Sequence, residues 1–466
     1  MKLTTVTLAA TLLASTASAQ TVRPDQAKFR ALYEELVNTN TTLSVGSCTQ
    51  AAAQLATRLK AAGYTDAELT PFAIPEKPKE GGLVVVLPGT DAKAKAILLL
   101  AHIDVVEAKR EDWTRDPFKL VEENGYFYAR GASDDKAMAA IYTDTMIRLR
   151  ADKRPRRTVK LALTCGEETN GAFNGAEWLA ANKRDLIDAQ FALNEGGGGR
   201  LDKDGKPEVL AIQVGEKTSQ NYMLEARNPG GHSSMPRPDN AIYQLSAAVD
   251  RIAAYKFPVQ LTDTTRAFFT KRAAIATGPM AAAMRAVVAD PGDAAAAALL
   301  SVDPTLNSTL RTTCVVTLFD AGHAQNALPQ RATANVNCRI FPGDTLESTA
   351  AALNKVIADS GVVLTAQAQR GPLAVPPPLD PKVVGPAETL AAKLFPGVPV
   401  LPIMSTGATD AGFLAAVGIP TYGVPGILYE ADGGGIHGLN ERIRVASVYR
   451  GRDYLHALIR IYAEAK

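Results

Sequence analysis

The chain has 466 residues, too many for one hydrophobic core, so two or three domains of roughly 100–200 residues each are expected. Hydrophobic residues make up 46% and charged residues 21%, which excludes a disordered or fibrous protein. A formal net charge of +2 leaves no electrostatic basis for binding nucleic acid or an anionic membrane surface.

At the N-terminus Lys2 precedes an apolar stretch over 6–13 and then Ala17-Ser18-Ala19. A charged start, a short apolar run and a small-residue cleavage site predict a secretory signal over 1–19 and a periplasmic or secreted protein. The run is too short to span a bilayer, and no later stretch is long enough to do so.

Helical spacing of apolar residues follows over 26–36 and 51–62, the second ending at Gly63. Short continuous apolar runs at 83–87 and 96–101 predict strands covered on both faces. A helix is expected over 136–150, a strand over 158–164, a helix over 174–181 and a strand over 191–194. This alternation predicts an α/β sandwich as the catalytic domain, beginning at residue 20 and running to 215.

The pattern changes near 216. Residues 221–227 alternate like a half-exposed strand, followed by a helix over 241–252, strands over 312–319 and 332–340, a helix over 345–358 and a strand over 362–368. This is the order of a split βαβ sandwich, so a smaller α+β domain is expected as an insertion over 216–370. Within it, 259–310 is Ala-rich and predicts an added helical excursion. The Pro-rich segment Pro376-Pro377-Pro378 opens the return to the first domain over 371–466.

None of the four cysteines lies in a close-spaced, zinc-type pair. Cys314 and Cys338 are equidistant from residue 326, so a hairpin there would set them opposite each other, as a disulfide or as two buried thiols.

The chemistry-bearing residues sit at predicted strand ends. His102 and Asp104 follow an apolar run and share a face if the strand continues. Asp134 and Asp135 lie in a turn before a helix, where they cap it or offer an oxygen to two cations. Glu167 and Glu168 follow the strand over 158–164. Adjacent carboxylates there are costly unless a cation or a proton neutralises them. Glu195 precedes Gly196-Gly-Gly-Gly199, and His437 lies in another glycine-rich loop. Four of the groups are expected after four separate sheet strands, where open α/β sheets bind ligands. Two of only five His fall in the set, and His with carboxylates suits zinc.

The ordered motifs are His102-x-Asp104, Trp113-x-x-Asp116-Pro-Phe118, Arg130-Gly-Ala-Ser-Asp-Asp-Lys136, Gly166-Glu-Glu168, Asn194-Glu-Gly-Gly197, Gly231-His-Ser-Ser-Met-Pro236 and His437-Gly-x-Asn-Glu441. Together the chain resembles the co-catalytic dinuclear zinc peptidase and deacylase family. That family includes aminoacylase, acetylornithine deacetylase, succinyl-diaminopimelate desuccinylase, carnosinase and the glycine-releasing carboxypeptidases. The resemblance implies a zinc-exopeptidase-like α/β sandwich with an inserted ferredoxin-like α+β lid and dimerisation domain.

The resemblance also implies two Zn2+ per subunit, in a site that Co2+ or Mn2+ could also fill. His102 and Glu195 would hold one ion and Glu168 and His437 the other, with Asp134 bridging and followed by a cis peptide. Asp104 would orient His102, and Glu167 would be the general base. His232, often supplied by the partner subunit of a homodimer, would steady the oxyanion. Asn326 and Arg339 would hold a substrate carboxylate. Many members carry Arg in the position of Gly412, within Thr409-Asp-Ala-Gly-Phe413. The implied activity is cleavage of an amide bond in dipeptides, short peptides or N-acyl amino acids. The competing readings are a strict N-acyl amino acid deacylase and a non-catalytic periplasmic peptide-binding protein.

Overall fold

The computed structural model describes residues 23–169, 172–369 and 371–466. The signal expected over 1–19 lies outside the described residues. A ten-stranded sheet organises the larger part of the chain. Its central strands Val159–Thr164, Ile97–His102, Phe191–Asn194 and Thr421–Gly423 run parallel, with His102 in register with Thr164. Alternate residues of the run at 97–101 feed opposite cores. Ile97, Leu99 and Ala101 pack with helices Pro24–Asn38, Lys136–Ala151 and Val445–Glu464. Leu98 and Leu100 pack with helix Gly175–Asn182. Covering both faces removes the polar alternation that a one-sided strand would show.

Six strands of this sheet escape the hydrophobic pattern, among them Leu69–Ile74, Pro207–Glu216 and Val400–Ser405. The first and last contain Pro71 and Pro402. Each pairs along one side only, with Lys77–Leu87 and Pro207–Glu216 respectively. A proline is tolerated there because an edge strand has N–H groups with no ladder to complete.

The chain leaves the large sheet at Glu216 and enters a smaller antiparallel one at Thr218. That sheet has the order Thr313–Ala321, Arg331–Ile340, Thr218–Arg227, Val362–Ala366. Helices Ala241–Ala254 and Leu346–Ile357 cover one face, enclosing Tyr222, Leu224, Val336 and Leu353. This is a ferredoxin-like α+β arrangement beside the α/β sandwich. The Ala-rich excursion forms four helices between Asp263 and Leu310 with a core of their own around Phe269, Met284 and Leu300.

All four cysteines are paired. Cys314 and Cys338 are direct cross-strand partners and form a disulfide. Cys48 and Cys165, 117 residues apart, form a second one that sequence spacing did not suggest. It ties the start of helix Cys48–Ala61 to the residue before Gly166-Glu167-Glu168. A Cys48→Ser/Cys165→Ser chain is expected to lose about 2–5 kcal/mol of unfolding stability, because a long closed loop is released in the denatured state. The measurement is the denaturant midpoint, and an unchanged midpoint would contradict the expectation.

Candidate metal centre

Parallel pairing brings three sequence-distant segments to one carboxyl edge. His102 ends its strand, Glu167 and Glu168 follow Val159–Thr164, and Glu195 follows Phe191–Asn194. Asp134 arrives by another route than expected. The strand preceding it, Tyr126–Tyr128, belongs to a separate three-stranded sheet with Val121–Glu123 and Arg442–Arg444. A tight turn at Asn124-Gly125, both with positive φ, folds that hairpin back. The same small sheet draws in the segment that follows His437.

Asp134 stands between two groups of potential ligands. Its Oδ1 accepts from His102 Nε2 at 3.2 Å, and its Oδ2 lies 3.2 Å from His437 Nε2. Glu195 Oε1 is 3.8 Å from His102 Nε2, and Glu168 Oε2 is 2.8 Å from His437 Nε2. His102, Asp134 and Glu195 form one group and Asp134, Glu168 and His437 the other, the ligand atoms of each lying within 4.8 Å of one another. The Asp134–Asp135 peptide is cis.

The electrostatics call for cations. Burial and repulsion by Glu195 push Glu167 up to about 10. Burial also carries Glu195 well above the usual range; His102 opposes the shift, and Asp134, Asp135 and Asp410 add to it. Burial alone would lower His102, yet Glu195, Asp134 and Asp104 hold it well above its ordinary value. Hydrogen bonding to Asp134 and Glu168 raises His437 to about 10. Although burial works against it, hydrogen bonds from the two imidazoles hold Asp134 below the carboxylate range. Imidazole and carboxylate donors in two groups sharing one carboxylate fit a pair of divalent ions.

Asp104 serves the site in two ways. Its backbone carbonyl is 3.2 Å from His102 Nδ1, nearer than its own carboxylate at 3.7 Å. The carboxylate instead accepts the backbone N–H groups of Glu167 at 3.4 Å and Glu168 at 3.1 Å. The glycines after Glu195 permit a close approach. Gly196 has φ 93°, and a Cβ there would come within 2.2 Å of the Gln213 side chain. His437 itself has φ 58°, uncommon for a non-glycine residue. A cavity of about 300 Å3 adjoins the cluster and is lined by Asp134, Glu195, Tyr429 and Ile436 among others.

The expected lid residues lie apart from this cluster. His232 and Asn326 meet on a small ribbon, Gly231–His232 pairing with Ala327–Leu328, and Ser233 N donates to Asn326 O at 3.1 Å. His232 Nδ1 accepts from the Ser234 amide at 3.2 Å. Arg339 is half-buried on the smaller sheet, and burial lowers its guanidinium. Among the described residues, no ion pair joins Arg339 to a carboxylate and no hydrogen bond joins these three to the cluster. Gly412, where many family members carry Arg, lies beside a buried acid, with a Cβ there 3.5 Å from Glu216 Oε1.

Two carboxylates near the cluster were missed in the sequence. Asp410, buried, accepts from Asn174 Nδ2 at 2.7 Å and Thr164 Oγ1 at 3.2 Å. Glu441, also buried, receives the backbone of the Asp134 loop. Each stands inside a motif already quoted, but neither follows an apolar run, the signal that exposed His102, Glu167, Glu168 and Glu195.

A family model described as peptidase family M20/M25/M40 matches residues 98–461. The chain is 30% identical over 401 residues to the N-fatty-acyl-amino acid synthase/hydrolase PM20D1 of Homo sapiens, covering 84% of this chain and 78% of that protein. It is 28% identical over 391 residues to a probable carboxypeptidase S-like 2 of Dictyostelium discoideum, covering 81% and 74%. Its fold matches the crystal structure of the M20 family metallo-carboxypeptidase Sso-CP2 from Sulfolobus solfataricus with a TM-score of 0.70, at 20% identity over 94% of this chain and 100% of that one. A family match across most of the chain means that the chain belongs to peptidase family M20/M25/M40 and is an enzyme of the metallopeptidase and amidohydrolase type.

Proposed function

We propose that this protein is an exported dinuclear zinc hydrolase that cleaves an amide bond of dipeptides, short peptides or N-acyl amino acids. The observation carrying the proposal is the placement of the two Asp134 oxygens, each 3.2 Å from a different imidazole. His102 and Glu195 would hold one ion and Glu168 and His437 the other, with Asp134 shared. Two ions bound there would polarise the scissile carbonyl and lower the pKa of a water toward about 7.

The protein's own groups perform the proton work. Glu167, beside Glu168 and held by Asp104 through its backbone, would be ionised by the nearby cations and would then take the proton of the attacking water and pass it to the leaving nitrogen. His232 accepts from Ser234 at Nδ1, which leaves its proton on Nε2, free to donate to a developing oxyanion. Arg339 and Asn326 hold the substrate carboxylate, a task suited to a guanidinium that has no acidic partner among the described residues. Domain boundaries at 20–215, 216–370 and 371–466 and a homodimer through the inserted domain belong to this reading. Support for the dimer is the exposure of Val315, Leu318 and Phe319 on strand Thr313–Ala321. A sedimentation mass of one chain would remove the dimer. Export is supported by two disulfides, which persist in oxidising compartments.

The test is chelation followed by zinc titration. Activity toward an X-Gly dipeptide or an N-acetyl amino acid should vanish with the metal and return with two zinc ions per chain. The relative rates on those two substrates separate a peptidase from a strict deacylase. Stoichiometric metal without turnover across a library of both classes would favour a peptide-binding protein, and chelator-resistant activity would refute the metal mechanism.

A further inference from the structure

Three of the sequence motifs acquire no role from the proposed chemistry: Trp113-x-x-Asp116-Pro-Phe118, Arg130, and the end of His437-Gly-x-Asn-Glu441. In the fold they converge on one buried ion pair. Glu441 and Arg130, 311 residues apart, meet at 2.8 Å with side chains 1% and 3% exposed. Every acceptor position of the Glu441 carboxylate is used. Oε2 accepts from Arg130 Nη1 at 2.8 Å and Gly131 N at 3.0 Å. Oε1 accepts from Ser133 N at 2.8 Å and Asp134 N at 3.1 Å. Glu441 thus holds the backbone of the residue whose carboxylate is shared by the two ligand groups.

Arg130 extends the connection to the other loop. Its Nη2 donates at 2.8 Å to the carbonyl of Gly438, the residue after His437. The guanidinium lies over the Trp113 ring at 5.1 Å, and the Arg130 amide donates to Pro117 O at 2.8 Å. Thr114, in the same segment, donates to Asn440 Oδ1 through its amide at 3.2 Å and its hydroxyl at 2.6 Å. The loop carrying His437 is therefore tied to the loop carrying Asp134 through Arg130 and to the Trp113 segment through Thr114.

We infer that Glu441 is a positioning residue that sets both ligand groups through the Asp134 backbone, and that Arg130 transmits this placement to His437. The inference rests on the two-metal reading. The carboxylate is required because of its four acceptor sites. In Glu441→Gln the amide nitrogen faces two donors in either orientation, so the pair on Oε1 or the pair on Oε2 is lost. An Asp is one methylene too short to reach both. Partners that orient metal ligands from behind typically govern affinity by about 10–100-fold when removed.

The experiment is a zinc chloride titration of metal-free protein against a chromophoric chelator, with turnover followed in parallel. Wild type should bind two ions. Glu441→Gln should bind both about 10–100-fold more weakly, with turnover recovering as zinc is raised. Arg130→Lys keeps a positive charge beside Glu441 but offers one nitrogen where the guanidinium spans two acceptors. It should weaken one ion more than the other, a split that general loss of stability would not produce, and it serves if Glu441→Gln does not fold. Wild-type affinity for both ions in the folded variants overturns the inference, whatever their melting temperatures. A wild-type chain that binds fewer than two ions sinks the two-metal reading and this inference with it.

Discussion

In Glu167→Gln, turnover is expected to fall by about 10²–10⁴-fold while zinc content stays at the wild-type level. The substitution is nearly isosteric, and what holds this turn is the backbone. Asp104 accepts the amides of both Glu167 and Glu168, so Glu168 keeps its place beside His437. Only the proton-accepting oxygen is lost. A base acting on the attacking water works in the transition state, so kcat should fall with little change in KM. Wild-type turnover in a variant with confirmed metal content would remove Glu167 from the mechanism.

Asp134→Ala is expected to have the broadest effect on the metals. The other candidate ligands serve one group each, whereas Asp134 serves both. Its removal should abolish binding of the two-ion set and reduce kcat/KM by more than about 10³-fold. Zinc should also cease to stabilise the fold. A ligand present at about 1,000 times its Kd stabilises a protein by roughly 4 kcal/mol, so wild type should show a clear zinc-dependent rise in Tm. The variant should show little or none. A variant that still binds two ions and gains the wild-type Tm increment would show that Asp134 is not shared. Loss of Glu195 or of His437 should be milder at the opposite ion, and this contrast separates the bridging position from the flanking ones.

Much of this centre was legible before any fold was known. Continuous apolar runs announced strands with both faces covered, and the polar residues that ended them, His102, Glu167, Glu168 and Glu195, were left at one sheet edge. Two adjacent glutamates after an apolar strand already posed an electrostatic problem whose natural solution is a cation. The edge strands Leu69–Ile74 and Val400–Ser405 were not legible, because their prolines read as breaks and only the pairing shows that one side of each has no ladder to complete.

The sequence by itself determined the donor types, their positions after strands and the motif order, since these depend on local pattern and residue chemistry. Tertiary structure alone decided how they act together. It brought Asp134 from a separate small sheet to stand between two imidazoles and turned the Asp104 carboxylate onto the backbone of residues 63 and 64 positions away. It also closed Cys48 onto Cys165 and seated Glu441 under the Asp134 loop. Each of these is a contact between distant segments, and no local spacing encodes it. Such contacts follow from which strands pair and which helices cover them, because burial of the common core, and not the contacting residues, selects that arrangement.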